Sequence, residues 1–282
     1  MTECDPKCYL NELKPIWCPG CGDYGFLSAL ARTFSELKIP NHKLFVATGI
    51  GCSSRVVGYL KTYGINGIHG RALPISQGAK LAAESLGLDL TVLAIGGDGD
   101  LFSIGTEHLP HAVRRNVDIA CIMLDNQVYA MTKGQTSPTT PYKEDILTSH
   151  SLNPPVDPLL DMLTFGTGFL AQGLATNVPH LVGILKAAIT YKGFSFVNVQ
   201  SQCVSFQEGD WISHLKQNCC YLKEGEIIEL PNGEKWLHDP GNKDLARKLV
   251  EVALKERPYY GIIYRAPERE GYLERIRKIN QS

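Results

Sequence analysis

The sequence predicts an α/β fold: a doubly wound, mostly parallel sheet with helices on both faces. Three observations carry that expectation. Short apolar runs recur, near-continuous as in strands covered on both sides. Segments with apolar residues at helical spacing alternate with them, which implies right-handed crossovers and a parallel sheet. Four of the runs empty into turns rich in Gly, Asp, Asn or Cys, at the strand ends where open α/β sheets bind ligands.

Residues up to about Lys14 read as an arm. Trp17-Cys18-Pro19-Gly20-Cys21-Gly22-Asp23 is too rich in turn formers for helix or strand. Tyr24 to Leu37 carries Leu27, Leu30, Ala31, Phe34 and Leu37 at helical spacing, with Asp23 as the expected N-cap and Pro40 beyond the end. Leu44 to Thr48 is a strand running into Gly49-Ile50-Gly51-Cys52-Ser53-Ser54. Leu73 to Leu86 is helical, with Pro74 tolerated in its first turn. Leu90 to Ile95 is a strand ending in Gly96-Gly97-Asp98-Gly99-Asp100. A helix over 106–115 and a strand over 117–124 follow, the latter closing on Asp125-Asn126. From Gln127 to about Pro158, Thr, Ser, Pro and Gly dominate, a long loop of the functional kind. A helix over 179–191 and a strand over 194–199 continue the pattern. Beyond Gln207 the periodicity loosens into a hairpin across Ile227 to Trp236, a helix from Leu245 to Leu254 and a last strand from Tyr259 to Tyr264. The expected organisation is one ligand-binding domain over 1–209 and an extension over 210–282 that packs on the same domain or on a partner subunit.

Composition narrows the function. The chain has 282 residues, 44% hydrophobic and 20% charged, a globular balance with enough length to bury a core without disulfides. A formal net charge of -1 argues against a nucleic-acid partner, which phosphate neutralisation would make more basic. The polar N-terminus has no signal core, and no apolar run approaches the roughly 18 residues that span a bilayer. No membrane association and a cytoplasmic location are expected. Nine cysteines in that compartment point to metal or redox chemistry rather than disulfides.

Gly97-Asp98-Gly99-Asp100 lies at one strand end, and Asn126, 28 residues after Asp98, lies at the next. Glycines let backbone approach a diphosphate, and a following helix aims its N–H groups at it. A carboxylate with an amide oxygen suits Mg²⁺. The plain alternative is a strand-to-helix turn, where Gly and Asp are common. Neither the Rossmann glycine pattern nor a Walker loop is present. Cys18-x2-Cys21 joins Cys52 and Cys203, both on loops after strands. Three readings compete: a redox pair, which would need its own βαβ context; structural zinc, which usually needs a second knuckle that the adjacent Cys219-Cys220 make poorly; and a [4Fe–4S] cluster, whose four cysteines come from distant segments. Cys121 reads as core, and Cys4 and Cys8 as surface thiols of the arm. His69, between Ile68 and Gly70-Arg71, suits anion binding but is as readily structural. Arg55 is a surface charge at a helix start or a carboxylate clamp.

Together these segments resemble the β subunits of the 2-oxoacid:ferredoxin oxidoreductases, thiamine-diphosphate enzymes with iron–sulfur clusters. The resemblance rests on Trp17-Cys18-Pro19-Gly20-Cys21-Gly22, Gly49-Ile50-Gly51-Cys52-Ser53-Ser54, Ile68-His69-Gly70-Arg71-Ala72-Leu73-Pro74 and Gly96-Gly97-Asp98-Gly99-Asp100. It continues through Asn126-Gln127-Val128-Tyr129-Ala130-Met131-Thr132-Lys133-Gly134-Gln135 and Gln200-Ser201-Gln202-Cys203, in family order over roughly 15–210.

The resemblance implies a thiamine-diphosphate-binding fold with the cofactor against Ile50, Gly51, Ser53, Ser54, His69, Gly97, Gly99, Asp100, Met131 and Thr132. It implies Mg²⁺ on Asp98, Asn126 and the Val128 carbonyl, and a [4Fe–4S] cluster on Cys18, Cys21, Cys52 and Cys203. The implied activity is oxidative decarboxylation of a 2-oxo acid with coenzyme A, electrons passing to ferredoxin. The loop from Met131 to Thr139 is similar to that of 2-oxoglutarate members, ahead of branched-chain or pyruvate members. Arg55 is then the candidate catalytic clamp for a second carboxylate, with Lys133 as an alternative. The module that grips the aminopyrimidine ring is missing, so an α subunit is implied, in an αβ or α2β2 assembly. The competing classes are a binding subunit that kept the fold without catalysis and a non-redox thiamine decarboxylase, which would have no use for the cysteines.

Overall fold

The computed structural model describes residues 5–146, 149–207, 211–253 and 257–281. In chain order its elements begin with α1 (Asp23–Glu36), β1 (Leu44–Thr48), β2 (Tyr63–Asn66), α2 (Ala72–Ser85), β3 (Thr91–Gly97), α3 (His108–Arg115) and β4 (Ala120–Asp125). The long loop then holds two short hairpins, β5 (Val128–Tyr129) with β6 (Gln135–Thr136) and β7 (Asp145–Ile146) with β8 (Ser149–His150). There follow α4 (Pro158–Phe165), β9 (Phe169–Leu174), α5 (Val178–Thr190), β10 (Ser195–Gln200), α6 (Trp211–Asn218) and β11 (Cys220–Tyr221). The chain closes through β12 (Ile227–Glu229), β13 (Lys235–Leu237), α7 (Lys243–Ala253), β14 (Tyr259–Arg265) and α8 (Tyr272–Gln281).

Eight strands form one sheet in the order β11-β14-β9-β10-β4-β3-β1-β2. The six from β9 to β2 are parallel; β14 runs antiparallel on β9, and β11 pairs with β14. Alternation along each strand feeds two cores. Ala120, Ile122 and Leu124 of β4 face α1 and α5, while Cys121 and Met123 face α2, α3, α4 and α7. A strand with apolar residues on both sides has to be covered on both sides, which is why the run reads as continuous in the sequence.

From β1 the chain crosses to β2 on one side and returns to β3 on the other. Strand order therefore reverses beside β1, the place where a crevice opens off the strand ends. The loops after β1, β3, β4 and β10 all leave at that end, and they carry residues 49–54, 98–100, 126–132 and 201–203.

Several local expectations are corrected. Asp23 is the first residue of α1 and not its N-cap; Gly22 holds that position, and the Asp23 carboxylate instead accepts a 2.8 Å bond from the Ser201 hydroxyl. The arm is packed: Tyr9 is buried and its hydroxyl donates to the Ile39 carbonyl at 2.8 Å. The strand expected over 117–124 begins at Ala120. β2, α4, β9, α6 and α8 were not legible as elements. Cys121 is fully buried in β4, as its apolar setting suggests, and burial pushes its thiol up. Cys4 lies outside the described residues. Among those described, no helix is long and apolar enough to cross a membrane.

Candidate cofactor and cysteine site

Two cavities of about 210 Å³ each lie side by side at the reversal point. The first is lined by Ile50, Gly51, Cys52, Ser53, His69, Gly97, Asp98, Gly99, Asp100, Asn126, Val128, Tyr129, Ala130, Met131 and Thr132. Twelve of the thirteen residues expected around a diphosphate cofactor are thus brought together. Ser54 is the exception: it is fully buried and does not line the cavity.

Asp98, at the end of β3, is 2% exposed. Its Oδ2 accepts from the Thr139 hydroxyl at 2.8 Å, and the same hydroxyl lies 2.8 Å from Asp125 Oδ1 at the end of β4. Ser137 and the Gly99 amide also bond the Asp98 carboxyl. Burial raises Asp98, and burial with the nearby Asp98 charge pushes Asp125 up to about 7. Two carboxyls this close and this dry favour a compensating cation. Asn126 Oδ1 accepts from the Val128 amide at 3.1 Å, which fixes the turn presenting the Val128 carbonyl. One carboxylate, one amide oxygen and one backbone carbonyl make a hard donor set that leaves room for water and phosphate oxygens, as Mg²⁺ prefers.

Asp100 lines the cavity as expected and also braces its loops. Its side chain is wholly buried, and Oδ1 receives the Ile50 amide at 3.1 Å, the Gly70 amide at 2.8 Å and His69 Nδ1 at 2.7 Å. It bolts the loop after β1 to the loop before α2 and turns His69 so that Nε2 is the nitrogen left for a ligand. Gly99 is required by close approach: a Cβ there would sit 2.1 Å from the Tyr129 ring, whose hydroxyl bonds the Gly99 carbonyl at 3.3 Å.

The second cavity is lined by Cys18, Cys21, Cys52 and Cys203, with Ile16, Trp17, Arg55, Asn126, Ala130, Met131, Val204, Ser205 and Phe206. Cys8 is exposed, Cys219 and Cys220 are half-buried, and none of the three lines it. Burial, with Asp23 next, pushes Cys21 up to about 12, and the same causes push Cys52 up to about 11. Thiolates in this pocket need positive charge beside them, which a bound metal centre supplies. Among the described residues, no three His, Cys, Asp or Glu converge on a single-ion site. Ser205 Oγ donates to Cys18 Sγ at 3.0 Å, and Trp17 Nε1 donates to the Cys52 carbonyl at 2.8 Å.

Arg55 is exposed, in the seven-residue 3₁₀ helix Ser53–Tyr59 that follows Cys52. It borders the cysteine cavity and a shallower pocket with Leu13, Ile50, Asn66 and Met131. Sequence reasoning missed Trp17, Asp125, Tyr129 and Thr139. Trp17 and Tyr129 stand inside the quoted motifs and were available as signals; nothing in spacing ties Thr139 to Asp98.

Fold and site together define a thiamine-diphosphate-binding domain, and residues 41–199 match the family described as thiamine pyrophosphate enzyme, C-terminal TPP binding domain. The relatives go further. The chain is 34% identical over 280 residues to 2-oxoacid:ferredoxin oxidoreductase 1, subunit beta, of Aeropyrum pernix, covering 97% of this chain and 85% of that one. It is 35% identical over 257 residues to 2-oxoglutarate oxidoreductase subunit KorB of Mycobacterium tuberculosis, covering 89% and 68%. A solved 2-oxoglutarate:ferredoxin oxidoreductase from Magnetococcus marinus, with 2-oxoglutarate, coenzyme A and succinyl-CoA bound, superposes with a TM-score of 0.90 at 32% identity, covering 100% and 91%. This chain belongs to the β subunits of the 2-oxoacid:ferredoxin oxidoreductases, which are coenzyme A-acylating enzymes.

Proposed function

We propose that the chain binds thiamine diphosphate, Mg²⁺ and one [4Fe–4S] cluster, and that its enzyme oxidatively decarboxylates 2-oxoglutarate with coenzyme A to succinyl-CoA and CO₂, electrons leaving to ferredoxin. It works with an α subunit that supplies the aminopyrimidine-binding module, in an αβ or α2β2 assembly. The observation that carries this reading is the shared wall. Cys52, Asn126, Ala130 and Met131 line both cavities, so a centre held by the four cysteines lies one loop away from a cofactor on Asp98. A non-redox decarboxylase has no use for that adjacency. 2-Oxoglutarate is favoured because it is the acid named for the Mycobacterium tuberculosis relative and bound in the Magnetococcus marinus structure.

When bound, thiamine diphosphate supplies the electron sink for decarboxylation and the cluster supplies one-electron steps. The chain's own residues hold and orient. Asp98, Asn126 and the Val128 carbonyl hold Mg²⁺. Ser53, His69 Nε2 and the backbone at Gly51, Gly97 and Gly99 face the diphosphate, and Ile50, Met131 and Thr132 wall the pocket. Arg55 reaches from the loop common to both sites toward a substrate carboxylate, where a guanidinium offers a two-pronged partner.

The test is the anaerobically purified α/β complex. Broad visible absorbance that bleaches with dithionite, four irons per β chain and 2-oxoglutarate-dependent ferredoxin reduction are expected, with pyruvate and branched-chain acids much poorer. Cys18→Ala, Cys52→Ala and Cys203→Ala lose iron and activity, while Cys219→Ala keeps both. An unchanged iron count in Cys203→Ala refutes the ligand set.

A further inference from the structure

Thr139 lies in the long loop after β4, beyond the residues expected to touch the cofactor, and its hydroxyl lies 2.8 Å from both Asp98 and Asp125. Thr139, Asp98 and Asp125 are 5%, 2% and 4% exposed, so water does not compete for these bonds. The segment that delivers the hydroxyl is pinned on both sides. The Thr140 hydroxyl donates to the Gln127 carbonyl at 2.6 Å, and the Ser137 amide bonds Thr140 Oγ1 at 2.8 Å. The Thr136 amide bonds Ser149 Oγ at 2.8 Å, and the Val156 amide bonds the Pro138 carbonyl at 2.8 Å.

We infer that Thr139 is a positioning residue for the metal-binding carboxylate: its one hydroxyl proton is donated to Asp98 Oδ2 while its oxygen is seated against Asp125, which fixes Asp98 across the ends of β3 and β4. An aspartate at a strand end has two side-chain torsions, and the Asp125 carboxyl crowds it from the end of β4. A buried hydroxyl anchored from its own loop stops both movements. Partners that orient a ligating carboxylate in this way are worth about 10–100-fold in metal affinity. The inference gives the Ser137-Pro138-Thr139-Thr140 segment a role beneath the metal, in addition to any part the preceding loop plays in choosing the substrate.

The inference rests on Asp98 holding Mg²⁺, and the experiment separates the two ideas. Thiamine diphosphate binding to the α/β complex is titrated calorimetrically at stepped Mg²⁺ for the wild type, Thr139→Val, Thr139→Ser and Asp98→Asn. Thr139→Val keeps the shape and removes the hydroxyl. It is expected to raise the Mg²⁺ requirement about 10–100-fold with unchanged cluster absorbance and Tm, and to broaden the electron paramagnetic resonance lines of Mn²⁺ bound in place of Mg²⁺. Thr139→Ser restores near-wild-type affinity and narrow lines. Wild-type binding by Thr139→Val beside lost binding by Asp98→Asn overturns the positioning role and leaves the metal assignment standing. Wild-type binding by Asp98→Asn overturns the metal assignment and the inference with it. A Thr139→Ser variant as weak as Thr139→Val also overturns the inference, because the hydroxyl is then not the agent.

Discussion

Trp17 lines the cysteine cavity. Its ring makes edge contacts with Tyr24 and Tyr59, at centroid distances of 5.4 and 4.9 Å, and its indole N–H donates to the carbonyl of Cys52. It thereby ties the segment bearing Cys18 and Cys21 to the loop bearing Cys52. Trp17→Phe keeps much of the ring packing and removes one hydrogen bond, a loss of about 1 kcal/mol. Freshly prepared Trp17→Phe complex should contain full iron and release it to a chelator faster than wild type; equal release rates would show that the bond does not hold the cluster loops together. Arg55 tests the substrate end. It is exposed in the isolated subunit, where a carboxylate pair is worth ~1 kcal/mol or less, and closure by the α subunit would desolvate it. Arg55→Ala is therefore expected to raise KM for 2-oxoglutarate about 10–100-fold, ~1.4–2.8 kcal/mol. Thiamine diphosphate affinity and iron content should hold. An unchanged KM makes Arg55 a surface charge and moves the search to Lys133 or the partner.

At the scale of elements, the loops after β1 and β3 and the loop before α2 are held in register by one buried side chain. Asp100 reaches back from the turn after β3 to the loop after β1 and the loop before α2, and its carboxylate occupies the space beside Gly49. A Cβ on Gly49 would lie 2.1 Å from that carboxylate. Gly49→Ala should therefore displace Asp100, release His69 and the Ile50 amide, and destabilise the subunit by about 1–3 kcal/mol, typical of overpacking. Differential scanning calorimetry checks the stability and cofactor titration the site; loss of one without the other would show that Asp100 does not couple them. What the sequence disclosed follows the same geometry. β1, β3, β4 and β10 were readable because burial on both faces makes them continuous apolar runs, and their Gly-, Asp- and Asn-rich exits marked the cofactor loops. β9 was missed because it carries Gln172 and Gly173. Its polar side chain is buried and paired, donating to the Tyr259 carbonyl and accepting from Asn198, both at 3.2 Å. β2 is exposed throughout and has no apolar run to betray it. Thr139 was illegible because its bonds to Asp98 and Asp125 depend on how the long loop folds back across the sheet.

For the whole molecule, the issue is whether residues 210–282 are an appendage or part of the folding unit. β14 pairs with β9 inside the main sheet, and Tyr259 and Tyr260 are fully buried. The Tyr260 hydroxyl bonds Gln200 at the end of β10, immediately before the segment that leads to Cys203. Leu245, Ala246, Leu249 and Val250 of α7 are at most 1% exposed and pack in the same core as Leu170, Phe194 and Phe196. Burying Leu245, Leu249, Val250 and the two tyrosines is worth on the order of 10 kcal/mol at about 1.5–3 kcal/mol per large apolar group, comparable to the net stability of a domain. A chain ending at residue 209 would also leave the β9 edge unpaired and apolar, an invitation to aggregate. By contrast, α8 is largely exposed, its Arg275 reaching the Arg114 and Arg115 carbonyls at 3.2 and 2.6 Å. We expect a fragment spanning 1–209 to aggregate or to melt without a cooperative transition even when co-expressed with the α subunit, whereas a chain ending at Glu270 should assemble, bind thiamine diphosphate and lose only a few degrees of Tm. Circular dichroism melts and size-exclusion chromatography of the two truncations decide it. A 1–209 fragment that melts cooperatively and binds the cofactor normally would make the C-terminal part a separable attachment, with its natural partner on the other subunit.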